Sequence, residues 1–196
     1  MTISRQTIRF ALWACAGLFL VLLAARDVQL DRKFEAHADS VENRSTPSVT
    51  SFGPPPRVAL TPATSGVLLI GEPVYADVRL PRWFERVTLT LRYDNDHGVP
   101  FRVGVRTHPE LWQFDVKTVD GGVVNGAELV VHPDVLREMD GTVRIPFTLE
   151  RSWQVERNVY RFIFSAPGIS AERPIVIRDL TVTAERDAMC FMGVCL

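Results

Sequence analysis

From Gly66 onward the chain alternates apolar and polar residues with a period of two, and this limits the fold more than any other feature. Val74, Ala76, Val78 and Leu80 alternate with Tyr75, Asp77 and Arg79, and Val87, Leu89, Leu91 and Tyr93 with Thr88, Thr90 and Arg92. Phe101, Val103 and Val105 alternate with Arg102, Gly104 and Arg106 in the same way, as do Val143, Ile145, Phe147 and Leu149 with Arg144, Pro146 and Thr148. Successive side chains of a strand point to opposite faces, so such a pattern buries one face and wets the other. Segments 129–132, 159–166 and 175–184 extend the series. Turn chemistry separates them: Asp94-Asn95-Asp96-His97-Gly98, Asp120-Gly121-Gly122, Asn125-Gly126, Asp140-Gly141 and Pro167-Gly168. The expectation is an all-β fold, a jelly-roll β-sandwich of about eight or nine strands.

Trp112, Phe114 and Val116 alternate with Gln113, Asp115 and Lys117. This places Trp112 in the core. Three cysteines are present, and none lies between Cys15 and Cys190, so the sandwich must hold by its core rather than by disulfides.

The closing third carries a resemblance. Tyr160-Arg161-Phe162-Ile163-Phe164-Ser165-Ala166-Pro167-Gly168, followed by Ile175-Val176-Ile177-Arg178-Asp179-Leu180-Thr181-Val182, resembles the last strands of galactose-binding-like jelly rolls. Many carbohydrate-binding modules have that fold. The resemblance spans residues 66–184 as a strand pattern, with no motif specific to one family. It implies a module that binds a glycan or a protein partner, and it assigns no binding residues.

The N-terminal run Phe10 to Ala25 has sixteen residues without a charge or a proline, bracketed by Arg9 and Arg26. With Ile8 and snorkelling arginines, residues 8–26 are long enough for one transmembrane helix. A cleaved signal peptide is the alternative, but Leu23 and Arg26 make a poor cleavage site. The expectation is an uncleaved signal anchor with the N-terminus cytoplasmic and the β domain periplasmic or extracellular. Leu30, Phe34, His37 and Val41 fall on one helical face. Residues 45–65 are rich in Pro, Ser and Thr and suit a spacer; the alternative is that 57–60 already forms the first strand. The expected organisation is tail and anchor over 1–27, juxtamembrane stalk and linker over 28–56, sandwich over 57–187, and an apolar tail over 188–196. Cys190 and Cys195 in that tail could close a disulfide loop.

The charge balance, 22 basic against 23 acidic residues, contains no run of one sign and excludes a nucleic-acid binder. All but Lys33 and Lys117 of the basic side chains are arginines. Sugar-binding sandwiches use exposed aromatic rings with a few polar groups. Trp83, at a strand entrance, and Trp153, in a polar connection, are the candidate platforms. Arg79, Arg102 and Arg106 occupy outward strand positions. On one sheet they could grip an acidic polymer; otherwise they form a solvated face paired to acids. Asp94 and Asp96 could serve a structural calcium ion, but the same residues make an ordinary turn. No other cofactor is implied. No paired histidines, nucleophile elbow or phosphate loop is present, so catalysis is not expected. The expected function is a membrane-tethered envelope module that binds a glycan or surface polymer. The alternative is an assembly subunit, held to another envelope protein by its anchor and tail.

Overall fold

The alternating segments fold as antiparallel strands in a computed structural model, which describes residues 13–19, 33–60, 65–186, 190–191 and 194–195. In chain order these are β1 (Lys33–His37), β2 (Val58–Leu60), β3 (Val67–Leu69), β4 (Val74–Arg79), β5 (Arg86–Asp94), β6 (Phe101–Arg106) and β7 (Phe114–Asp120). Then follow β8 (Gly122–Val124), β9 (Ala127–Leu129), β10 (Leu136–Arg137), β11 (Thr142–Thr148), β12 (Val159–Ser165), β13 (Ile175–Glu185), β14 (Cys190–Phe191) and β15 (Val194–Cys195). The chain divides into two units, Lys33–Asp187 and Met1–Arg32 with Ala188–Leu196.

The first unit is a sandwich. One sheet has seven strands in the order β10-β11-β5-β13-β3-β2, with β1 also on β13; the other has four, β4-β12-β6-β7. Between them lies one apolar core to which both sheets contribute, including Leu89, Leu91, Ile145, Val182, Val103, Phe162 and Phe164. Phe147 and Phe162 meet across the layers edge to face, with centroids 5.6 Å apart. Such a pair adds about 1 kcal/mol beyond its buried area. The Asn125-Gly126 turn joins β8 to β9 with both residues at positive φ (51° and 82°), the backbone that a two-residue hairpin demands.

The chain from residue 33 to 56 corrects the expected stalk. Lys33–His37 pairs with β13, opposite Glu185 to Thr181. Phe34 and Ala36 therefore point inward at strand spacing, not at the helical spacing read from Leu30 to Val41. The segment after it lies along the edge of β4 through bridges Val49↔Val78 and Gly53↔Tyr75, and Val49 and Phe52 enter the core. The Asn43 amide holds it by accepting from Phe52 N and donating to Phe52 O. The Pro, Ser and Thr of this stretch do not prevent pairing, because the residues between the prolines supply the backbone bonds. Residues 58–60 form β2, the alternative reading of that segment. A turn at Pro133-Asp134, where Val135 N donates to His132 O, leads into β10, which pairs with β11.

In the second unit, residues 13–19 are helical. Among the described residues no helix is long and apolar enough to cross a membrane. The remainder of the expected span over 8–26 lies outside the described residues. β14 and β15 form a hairpin in which Cys190 stands opposite Cys195.

Candidate functional site

On β4, Val74, Ala76 and Val78 face the core, so Tyr75, Asp77 and Arg79 face outward. Strand register then builds the outer face of the four-stranded sheet. Asp77 stands opposite Arg161 and Tyr75 opposite Ile163. Ile163 faces Gly104, and Ser165 faces Arg102. Gly104 faces Val116, and Arg106 faces Phe114. Gly104 is the only residue type that fits here: a Cβ would meet Asp115 O at 2.7 Å and Val116 Cγ2 at 2.9 Å.

Trp112 lies on this face and is 63% exposed. Its ring is 5.7 Å from that of Tyr75 and 6.2 Å from that of Phe114. This corrects its expected place in the core. The parity of β7 is the reverse of the reading from its apolar residues: Lys117 and Val119 point inward, while Phe114 and Val116 point out. A change of one residue in parity moves every side chain to the other face. Lys117, 8% exposed, is held inside by Asp134 (Nζ–Oδ2 2.6 Å) and lies 5.5 Å from the centre of the Phe147 ring.

The loop that carries Trp112 is built on Arg106. This guanidinium is 8% exposed and donates from Nε to Leu111 O (3.2 Å) and from Nη2 to Pro109 O (2.7 Å). Its carbon lies 4.8 Å from the centre of the Trp112 ring. Thr107 N donates to Gln113 O, closing the loop at its neck. An exposed indole is thus fixed from below by a cation and two charge-assisted hydrogen bonds. Beside it, Arg161 clasps Asp77 through two bonds (Nε–Oδ1 2.7 Å, Nη2–Oδ2 2.8 Å) and lies 5.8 Å from the Tyr75 ring centre. The Arg161 charge is held more firmly, mainly by the hydrogen bond to Asp77. A groove of about 500 Å³ continues from this pair, walled by Ser48, Thr50, Arg79, Val155 and Glu156.

Arg79, Arg102 and Arg106 do fall on one sheet, as the acidic-polymer reading requires. Their roles differ. Arg79 is exposed, Arg102 donates to Ser165 Oγ while its Nε is buried without a partner, and Arg106 positions the loop. Trp83 and Trp153 pack at the rim of the core instead of standing free. The Trp83 Nε1 is buried without a partner, and Arg151 lies 4.7 Å from its ring centre. Asp94 is engaged by Arg178 (Nε–Oδ2 2.8 Å), and Asn95 ties its turn to Val99 and Asp120. Among the described residues no group of three His, Cys, Asp or Glu side chains could hold a metal ion.

Sequence reasoning missed Tyr75, Arg161 and Ser48. The first two stand at outward positions of strands it had identified, and Ser48 lay in the segment read as linker.

No protein-family model and no curated protein matches this chain. Two similar solved structures are peanut lectin with a nine-residue peptide and TmCBM27, a carbohydrate-binding module with specific mannan recognition. The lectin has 10% identity and a TM-score of 0.43, over 78% of this chain and 97% of its own. The module has 14% identity and a TM-score of 0.39, over 79% of this chain and 99% of its own. At these scores the likeness decides nothing about function, which has to be read from the face itself.

Proposed function

We propose that the chain is a non-enzymatic glycan-binding module, tethered by its N-terminal segment so that the sandwich stands outside the cytoplasm. The observation that carries the reading is Trp112, a large ring held exposed on a sheet face by a buried arginine. Leaving such a ring in water costs burial energy, about 25 cal/mol for each Å² of apolar surface not removed from solvent. A planar apolar ring flanked by hydrogen-bonding groups fits a sugar, which offers C–H faces to the ring and hydroxyls to the rim. Tyr75 links the ring to Asp77 and Arg161, and Ser48 and Thr50 line the groove that continues from that pair. The test is a glycan array probed with the full-length chain in detergent, beside Trp112→Ala. Retention of glycans by the native chain and their loss in the variant support the reading. Failure of the native chain to retain any glycan sinks it.

The assembly reading has one observation in its favour. Val123, Val130, Leu136 and Met139 are exposed large apolar side chains within one stretch of the sandwich. A protein partner that co-purifies with the native chain but not with a Val130→Ser, Met139→Ser variant would support it.

The tether rests on the apolar run 10–25 and predicts that alkali leaves the chain in the membrane fraction. The Cys190–Cys195 register adds a test of side. Facing positions of an antiparallel pair stand about 4.5–5.5 Å apart, within the span of a disulfide. Transfer of two electrons and two protons from the thiols to a disulfide oxidant would join them in an oxidising compartment. A mass lower by two hydrogens in chain taken from cells is expected; two alkylatable thiols at these positions would count against it.

A further inference from the structure

We infer that the glycan is anionic, and that Arg79 and Arg157 take its charged substituents; this deepens the glycan reading and rests on it. A second cleft of about 490 Å³ is lined by Phe34, Ser48, Arg79, Leu80, Arg157 and Asn158, with Pro47 and Pro81 at its walls. Its lining holds two arginines and no acidic residue. The cleft shares Pro47, Ser48 and Arg79 with the groove that begins at Asp77 and Arg161. Tyr75, 5.7 Å from the Trp112 ring and 5.8 Å from Arg161, joins the ring to that groove, so an extended chain stacked on Trp112 has a path over Tyr75, Asp77 and Arg161 to the two arginines.

The charges along that path decide the sign. Asp77 is neutralised by its two-bond pair with Arg161. Among the described residues the ion pair of Arg79 is with Glu156, at 3.8 Å, with side chains 63% and 72% exposed, a contact of little strength in water. Arg157 forms no ion pair among the described residues. The path thus carries Arg79, Arg157 and Arg161 against Asp77 and Glu156, one positive charge in excess, and that excess is concentrated in the cleft without an acid. Arginine's planar fork suits carboxylate, sulfate or phosphate oxygens, and charge-assisted hydrogen bonds are roughly twice as strong as neutral ones. The shared chemistry is an oxyanion on a polysaccharide, whichever of the three carries it.

The test uses the full-length chain in detergent. Polygalacturonate is set against its methyl ester and dextran sulfate against dextran, with alginate and neutral mannan and cello-oligosaccharides alongside. We expect the acidic member of a pair to bind at least tenfold more tightly at low salt. We expect the gap to close as ionic strength rises past the point where the screening length is about 10 Å. Arg79→Ala with Arg157→Ala should remove the preference and leave the melting temperature unchanged, since both side chains are exposed. Equal binding of acidic and neutral forms, still dependent on Trp112, overturns this inference and leaves the glycan reading standing. A preference for the acidic form that survives the double substitution overturns the assignment to Arg79 and Arg157. Absence of binding to every probe overturns both. If a substituted chain melts early, the salt dependence of the native chain decides: affinity for the acidic probe that does not fall with salt overturns the proposal.

Discussion

The outer faces of the two sheets have the same pleat and the same solvent, yet they are built differently. On the seven-stranded sheet, Arg144, Thr90 and Thr181 stand in one cross-strand row, and Pro146, Thr88 and Thr183 in the next. Apart from Arg144 and Pro146 these are threonines, β-branched residues that suit a pleated surface and need nothing on top of it. On the four-stranded sheet one row holds Tyr75, Ile163, Gly104 and Val116, with Trp112 laid over the neighbouring Arg106. The threonine face is finished by water. The aromatic face leaves a large ring exposed and devotes a buried arginine to holding it there. Sheet geometry alone does not require that expense, which is why the face reads as a site.

The largest expected effect comes from removing the ring. Trp112→Ala should weaken glycan binding by at least about 2 kcal/mol, roughly thirtyfold, as for a binding hot spot. Thr90→Ala with Thr181→Ala should change it less than twofold. Calorimetric titration with the best array glycan compares them. Equal losses on the two faces would erase the distinction between them.

Next is the support. Arg106→Ala removes two charge-assisted hydrogen bonds to the loop and a cation from beneath the indole, so about 1–3 kcal/mol of loop order should be lost. Fluorescence anisotropy of Trp112, read in a Trp13→Phe, Trp83→Phe, Trp153→Phe background, should fall, and affinity with it. Undiminished anisotropy would mean that the loop orders itself. A smaller effect on binding is expected from Gly104→Ala. Its new Cβ must displace Val116 and the Asp115 carbonyl, at a stability cost of about 1–3 kcal/mol that a melting curve resolves. The matching Thr90→Ala should cost a few tenths, since its outward position is open.

The sequence patterns contained most of the sandwich and little of the site, for a physical reason. Alternation declares a strand because one face must be buried. It names the buried face only if the other face is polar. β5 and β11 satisfy that condition, and the apolar residues read in them, Leu89, Leu91, Ile145 and Phe147 among them, are the buried ones. β7 violates it: Phe114 and Val116 are apolar but outward, and Lys117 is charged but inward. The inward lysine depends on Asp134, seventeen positions later, a partner that no local pattern reveals. The same limit hid Trp112. Its exposure depends on Arg106 from another strand and on Tyr75 from the far edge of the sheet. Residues 33–56 failed differently, since composition marks a segment as proline-rich but not as edge-covering. Trp83 and Trp153 had exposed-looking neighbours, but they pack partly buried against the rim of the core.

The finest test concerns what keeps β7 in its inverted parity. The Lys117 hydrogen bond, and then its charge, hold the Asp134 carboxyl below its ordinary value of 3.8. A depressed carboxyl contributes stability that is present above the unfolded value and lost as pH falls through the folded one. Between neutral pH and the ordinary carboxylate range the pair should therefore hold, and acidification below that range should release Lys117 from the core. If this pair fixes which face of β7 looks outward, the anisotropy of Trp112 should fall over that same acid window. Lys117→Met with Asp134→Asn replaces the pair by an apolar side chain of similar length, a change that is often neutral or stabilising. In that variant the face should persist and this part of its acid sensitivity should vanish. An anisotropy that follows pH identically in both proteins would show that the aromatic face is held by Arg106 and Gly104 alone, and that the inward lysine serves only the core.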